Sequence, residues 1–165
     1  MVSKQATTLI VGLGEVKVSN DPSVVLTCLG LGSCIGIAAY DPLAHVGGMA
    51  HIVLPHSNDR NGQGSSKYAD IGIPSLFEQV EKAGGKRSRL IIKIAGGAQI
   101  SKARGLEDSF QIGKKNSQAV LEIMSQMGLP IKASDIGGNH GRTLKMYLES
   151  GNTIVNSAMQ GTKEI

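Results

Sequence analysis

Two residue types in this sequence can break an acyl bond when they act together: a thiol and an imidazole. Cys34 stands in Gly30-Leu31-Gly32-Ser33-Cys34, and His51 stands in Gly48-Met49-Ala50-His51-Ile52-Val53-Leu54. A thiol at its ordinary pKa is mostly protonated at neutral pH, and the thiolate is the nucleophile. A neighbouring imidazole can take the proton or stabilise the thiolate. Attack on a carbonyl also needs N–H donors where the oxyanion forms. Gly30 and Gly32 permit a tight turn. Such a turn leaves the N–H groups around Gly32, Ser33 and Cys34 pointing outward, so one short segment could offer both nucleophile and donors.

The competing chemistries are poorly served. Cys28, Cys34, His51 and His56 contain no C-x-x-C or H-x-x-x-H pair, so no metal site is expected. Neither glycine-rich stretch, GLGEV or GLGSCIG, has the G-x-G-x-x-G pattern leading into a helix that a dinucleotide needs. A cysteine in an apolar strand is often an inert core residue, and Cys28 is read that way. His51, mid-strand among apolar neighbours, needs a partner. If its strand pairs beside that of Cys34, the imidazole could face the thiol.

The elements that would position these groups are mostly strands. Leu9–Val18 reads as extended, with breaks at Gly12 and Gly14. Val24–Leu29 is a β-branched apolar run that fits a buried strand. Ile35–Tyr40 and His45–Leu54 read as further strands, separated by the Asp41-Pro42 turn. Pro55–Ser66 is a polar loop that could flank the site. Lys67–Gly84 has helical spacing at Leu76, Phe77 and Val80, with Pro74 expected near its first turn and Gly84-Gly85 ending it. Arg89–Ala95 is a strand leading into Gly96-Gly97, and residues 101–112 read as irregular. A second helix runs from Lys114 or Lys115 to Met127, its apolar face made by Val120, Leu121, Ile123, Met124 and Met127. Short strands follow at 131–136, 143–148 and 153–157. Strands outnumber helices, which predicts an α/β layered domain with a mixed sheet.

With 165 residues, one domain spanning 1–165 is expected. Aromatic residues are only 3% of the chain, so the core must rest on aliphatic side chains, Met and Ala. The net charge of +4 is dispersed, and three Tyr and two Phe make no stacking platform, which argues against nucleic acid. No run approaches the roughly 18 apolar residues of a membrane span, and no signal-peptide pattern is evident. Cys28 and Cys34 would lie about 20 Å apart on an extended chain. Unless Gly30 or Gly32 turns it sharply, that is too far for a disulfide. Reduced thiols and a cytoplasmic setting follow as expectations.

The stretches LGLGSCIGIAAYDP and GGMAHIVLP resemble the chemoreceptor glutamine deamidase family, CheD, whose members carry a G-S-C motif and a downstream histidine in a G-x-M-x-H stretch. The likeness continues through Lys67-Tyr68-Ala69-Asp70, Lys93-Ile94-Ala95-Gly96-Gly97-Ala98, Ile112-Gly113 with Asn116, and Asp135-Ile136-Gly137-Gly138-Asn139 with Gly141-Arg142. The resemblance implies an α/β sandwich similar to that of bacterial glutamine-deamidating toxins. It implies Cys34 as nucleophile, His51 as base, and no metal or organic cofactor. The substrates would be glutamine side chains of methyl-accepting chemotaxis receptors. A CheC-type phosphatase would be a possible partner, and a docking regulator of that phosphatase is the alternative reading.

The resemblance departs at one position. The family's third catalytic member is usually a Thr six residues before the nucleophile. Cys28 stands there, and Thr27 lies one residue earlier. A shift of one residue turns a strand side chain to the other face. Thr27 could serve across a bulge, Cys28 could replace it as a weak hydrogen-bonding group, or another residue could orient His51.

Overall fold

The structure is a computed structural model that describes residues 4–58, 64–100 and 111–165. The chain runs β1 (Thr7–Ile10), β2 (Val16–Ser19), β3 (Val24–Leu31), β4 (Ile35–Asp41), β5 (Val46–Ile52), α1 (Ala69–Lys82), β6 (Ile91–Gly96), α2 (Ile112–Gln126), β7 (Ile131–Ile136), β8 (Arg142–Tyr147), β9 (Thr153–Ser157) and β10 (Gly161–Glu164). It is a layered, mixed α/β fold with two sheets. One has the order β1-β3-β8-β9-β10 and the other β2-β5-β4-β6-β7. In each sheet one pair is parallel, β1 with β3 and β6 with β7, and the rest are antiparallel. Among the described residues, no helix is long and apolar enough to cross a membrane.

The second sheet is the middle layer. Its strand β4 reads as a continuous apolar run because both faces are covered, and a strand buried on both sides needs no polar alternation. Ile35, Ile37 and Ala39 look toward the helices, where Ile73, Leu76, Phe77, Val120 and Met124 complete one core. Cys34, Ala38 and Tyr40 look the other way, into a second core shared with Leu26, Cys28, Leu144, Met146 and Val155 of the first sheet.

Strand β5 is pressed from both sides, and two adjacent glycines allow it. A Cβ at Gly47 would overlap the Leu148 side chain, and one at Gly48 would lie 2.8 Å from Leu76 and Val80 of α1. Both layers therefore close tightly on the strand that carries His51.

Several expectations shift by a few residues. The extended stretch 9–18 resolves into β1 and β2, broken at residues 11–15 as the glycines suggested. Helix α1 begins at Ala69, so Pro74 falls in its second turn, where it leaves the Asp70 carbonyl without an intrahelical N–H. Gly84, at φ 104°, follows the helix end as expected. Helix α2 starts at Ile112, earlier than its apolar face implied. Strand β10 was not expected, because GTKE is polar and fully exposed. Residues 101–110 of the irregular stretch and 59–63 of the polar loop lie outside the described residues.

Candidate active site

The segment Gly32-Ser33-Cys34 is the crossing between the sheets. Strand β3 ends at Leu31 in the first sheet, and β4 begins at Ile35 in the second. Gly30, inside β3, adopts φ 62°, a left-handed conformation that favours glycine, at the register shift between Cys28 and Leu31 that bends the strand before the crossing. The separation of the cysteines expected from an extended chain therefore does not hold. Cys28 and Cys34 both face the core between the sheets, and both are free thiols.

Strands β4 and β5 do pair. Ile35 lies opposite Ile52 and Gly36 opposite His51. Residues opposite one another share a face, so His51 lies on the same side as Gly36 and Cys34. Its diagonal relation to Cys34 is a spacing that longer side chains span. Gly36 lets the first sheet pack closely here: a Cβ there would stand 2.9 Å from Leu144, 3.0 Å from Leu31 and 3.5 Å from the Cys28 Sγ.

His51 is 2% exposed and is held by the loop between β1 and β2 through three bonds. Its N–H donates to the Glu15 carbonyl at 3.0 Å, its carbonyl accepts from Gly14 N–H at 2.9 Å, and its Nδ1 meets the Val11 carbonyl at 3.0 Å. A carbonyl only accepts, so Nδ1 bears the proton and the neutral ring has its lone pair on Nε2. Nε2 is buried and has no hydrogen-bond partner among the described residues.

The carbonyls of the nucleophile segment are all engaged. Gly32 O accepts from Ala98 N–H at 2.8 Å, Ser33 O from the Asn116 side-chain amide at 2.9 Å, and Cys34 O from Gly97 N–H at 2.9 Å. In a trans peptide the N–H points opposite to the C=O. The Ser33 and Cys34 N–H groups are thereby turned away from Ala98 and Asn116. Gly96, at φ 119°, makes this contact possible, since a Cβ there would overlap the Cys34 carbonyl oxygen.

Burial leaves Cys34 9% exposed and pushes its thiol up from the ordinary value. Cys28 is fully buried, and its thiol is pushed up by burial first and by the charge Cys34 would carry second.

The three sequence alternatives for orienting His51 can now be compared with geometry. Thr27 is buried, and its hydroxyl donates weakly to Val25 O at 3.4 Å. The register shift in β3 lies after Cys28, between it and Leu31, so no bulge turns Thr27 toward the core face. Cys28 does face that core, but the bond that holds the imidazole comes from Val11. Thr27 contributes through its main chain: its carbonyl accepts the Val11 N–H at 2.8 Å, and Val11 in turn accepts from His51. Sequence reasoning missed both Val11 and Asn116. A backbone carbonyl leaves no mark in a sequence. Asn116 does leave one, as a polar residue in the buried stripe Gly113, Asn116, Ala119, Val120 and Ile123 of α2.

A thiol and an imidazole on neighbouring strands, beside main-chain donors held in a fixed orientation, form the constellation expected of a thiol hydrolase. The sequence model described as CheD chemotactic sensory transduction matches residues 53–157. A "Probable chemoreceptor glutamine deamidase CheD" of Caldanaerobacter subterraneus subsp. tengcongensis is 44% identical over 158 residues, covering 95% of this chain and 97% of that one. One of the same description from Symbiobacterium thermophilum is 41% identical over 157 residues, covering 94% and 95%. The chain belongs to the CheD family. A distant likeness of shape links it to the hypothetical protein YfiH of Bacillus licheniformis, with a TM-score of 0.42 at 14% identity over 81% of this chain and 60% of that one.

Proposed function

We propose that this protein hydrolyses the side-chain amide of selected glutamines on methyl-accepting chemoreceptors, with Cys34 as nucleophile and His51 as general base and acid. The bond from His51 Nδ1 to Val11 supports this best, because it leaves Nε2 basic on the face shared with Cys34. The names of the relatives supply the substrate class.

His51 Nε2 takes the proton from the Cys34 thiol. The thiolate attacks the glutamine δ-carbon, forming a C–S bond and moving the carbonyl electron pair onto oxygen. The Ser33 and Cys34 N–H groups receive that oxyanion. As it collapses, the C–N bond breaks and His51 returns its proton to the departing nitrogen, releasing ammonia. His51 then draws a proton from water, which attacks the thioester. The C–S bond breaks, the thiol is restored and a glutamate carboxylate leaves. Gly32 sets the turn, and Thr27 and Cys28 stand behind the site, Thr27 through its main chain.

The whole chain acts as one domain in this reading. The reaction is placed in the cytoplasm, where Cys28 and Cys34 stay reduced. A CheC-type phosphatase as docking partner follows from the family resemblance, and binding of the purified pair tests it.

The test of the function is peptide mass mapping of a chemoreceptor cytoplasmic fragment after incubation with the protein. Discrete glutamines should become glutamates, and the change should vanish with Cys34→Ala or His51→Ala. A folded, reduced protein that alters no glutamine would refute the proposal.

A further inference from the structure

The geometry points to Asn116 as a positioning residue for this site: it holds the nucleophile segment against the end of the histidine strand and fixes the peptide whose N–H receives the oxyanion. The inference rests on the catalytic reading of Cys34 and His51 given above.

Asn116 lies in the first half of α2 and is fully buried. Its Nδ2 has two hydrogens, and both are used. One goes to Ser33 O at 2.9 Å, the other to Val53 O at 2.9 Å. Ser33 immediately precedes Cys34, and Val53 follows His51 by two residues. One amide therefore ties the two catalytic segments together from the helix side.

The bond to Ser33 has a specific consequence. The Ser33 carbonyl and the Cys34 N–H belong to the same planar peptide unit. Anchoring the oxygen on Asn116 fixes the direction of the Cys34 N–H, which is one of the two proposed oxyanion donors. The other peptide, Gly32 to Ser33, is anchored by backbone at Ala98. Asn116 is thus the side-chain control on an otherwise main-chain device.

Helix α2 is a firm base for it. Gly113 brings the first turn of the helix against the carbonyls of Gly97 and Ala98, where a Cβ would overlap both oxygens. The Ser117 hydroxyl donates to Gly113 O at 2.9 Å. The same Gly97 and Ala98 N–H groups bond the nucleophile segment. Helix, turn and nucleophile are held as one block.

Asn116 satisfies two carbonyls through Nδ2, while its own Oδ1 is buried with no partner among the described residues. An apolar side chain of similar size would strand the Ser33 and Val53 carbonyls, so loss of the amide costs stability as well as position. Positioning is the part that catalysis and Cys34 reactivity report on folded protein.

The test compares Asn116→Ala, Asn116→Asp and Asn116→Ser with the wild-type protein. Each is followed by receptor-fragment deamidation and by the pH profile of Cys34 alkylation with iodoacetamide. Asn116→Ala should lower kcat about 10- to 100-fold while KM for the fragment stays nearly unchanged. Asn116→Asp keeps the shape but has no donors, and it should fall at least as far. Asn116→Ser keeps one donor and should fall between wild type and Ala. In all three, alkylation of Cys34 should slow at neutral pH and need a higher pH, which a loss of folding stability alone would not produce. If Asp does not fold, Ala and Ser decide. Folded variants with wild-type kcat and an unmoved alkylation profile would overturn this inference alone. Wild-type protein that deamidates nothing, with Cys34 no more reactive than Cys28, would overturn the catalytic reading on which it rests.

Discussion

His51 donates its Nδ1–H to the backbone carbonyl of Val11 at 3.0 Å. The orienting group of the imidazole is therefore main chain, not a side chain. Val11 is itself anchored, its N–H bonded to the Thr27 carbonyl at 2.8 Å. The ring is aligned by the ladder between β1 and β3, carried one residue past the end of β1. This arrangement fixes the tautomer without any acidic partner, and it is indifferent to which side chains stand at 27 and 28.

That indifference is testable. Thr27→Ala and Cys28→Ala should each keep most of the deamidase kcat, because neither removes the Val11 carbonyl. A collapse of kcat in Thr27→Ala that Thr27→Ser restores would instead assign the hydroxyl a direct part.

Gly96→Ala should be far more damaging than its size suggests. The new Cβ would overlap the Cys34 carbonyl oxygen, in a backbone conformation that L side chains rarely adopt. The expected cost in unfolding free energy is about 1–3 kcal/mol from backbone strain. Catalysis should fall by at least about tenfold as the nucleophile peptide shifts. Urea unfolding and steady-state kinetics on the same sample separate the two effects.

The buried thiol of Cys28 makes stability depend on alkaline pH. Burial, and secondly the charge on Cys34, raise its folded pKa above that of the unfolded chain. Its contribution is fully present below the ordinary thiol value of about 8.5 and is lost as pH rises toward the raised folded value. The urea midpoint of wild-type protein should therefore fall as pH rises from neutral into the alkaline range. Cys28→Ala should flatten that fall, and an equal slope in both proteins would contradict the assignment.

At the far end of β4, Asp41 is fully buried. Burial works against its charge, but hydrogen bonds from Arg89 and from the N–H groups of Lys86, Ala44 and Leu43 outweigh it and hold the carboxyl well below the usual range. The contribution is present above the ordinary carboxyl value of about 3.9 and is lost as pH falls toward the depressed folded value. Arg89→Ala should cost about 1.5–3 kcal/mol at neutral pH, as for other hydrogen bonds to a charged group. It should leave Cys34 reactivity unchanged. Chemical unfolding and thiol alkylation check the two halves.

The strands were legible because burial on both faces writes them as apolar runs, as at Ile35–Tyr40 and Val24–Leu29. The candidate nucleophile and base were legible because thiols and imidazoles are few and glycines bracket the cysteine. The pairing of β4 with β5, which turns two such residues into one site, is a long-range contact that periodicity does not encode. The fixing of His51 by Val11 was illegible for a different reason: every residue carries the same carbonyl, and only the fold decides which one meets the imidazole. Asn116 matches the family pattern, but its role was not legible there, because only the packing of α2 on the nucleophile segment gives it two partners. Strand β10 was hidden because an exposed polar edge such as Gly161–Glu164 carries no hydrophobic pattern.

The central claim is an acyl intermediate on Cys34, and hydroxylamine tests it most directly. Added during turnover of a chemoreceptor fragment, it should intercept the thioester, so that mass mapping finds a hydroxamate at the same glutamines at the expense of glutamate. Both products should vanish with Cys34→Ala. Glutamate as the sole product in the presence of hydroxylamine, with deamidation undiminished in Cys34→Ala, would contradict the account.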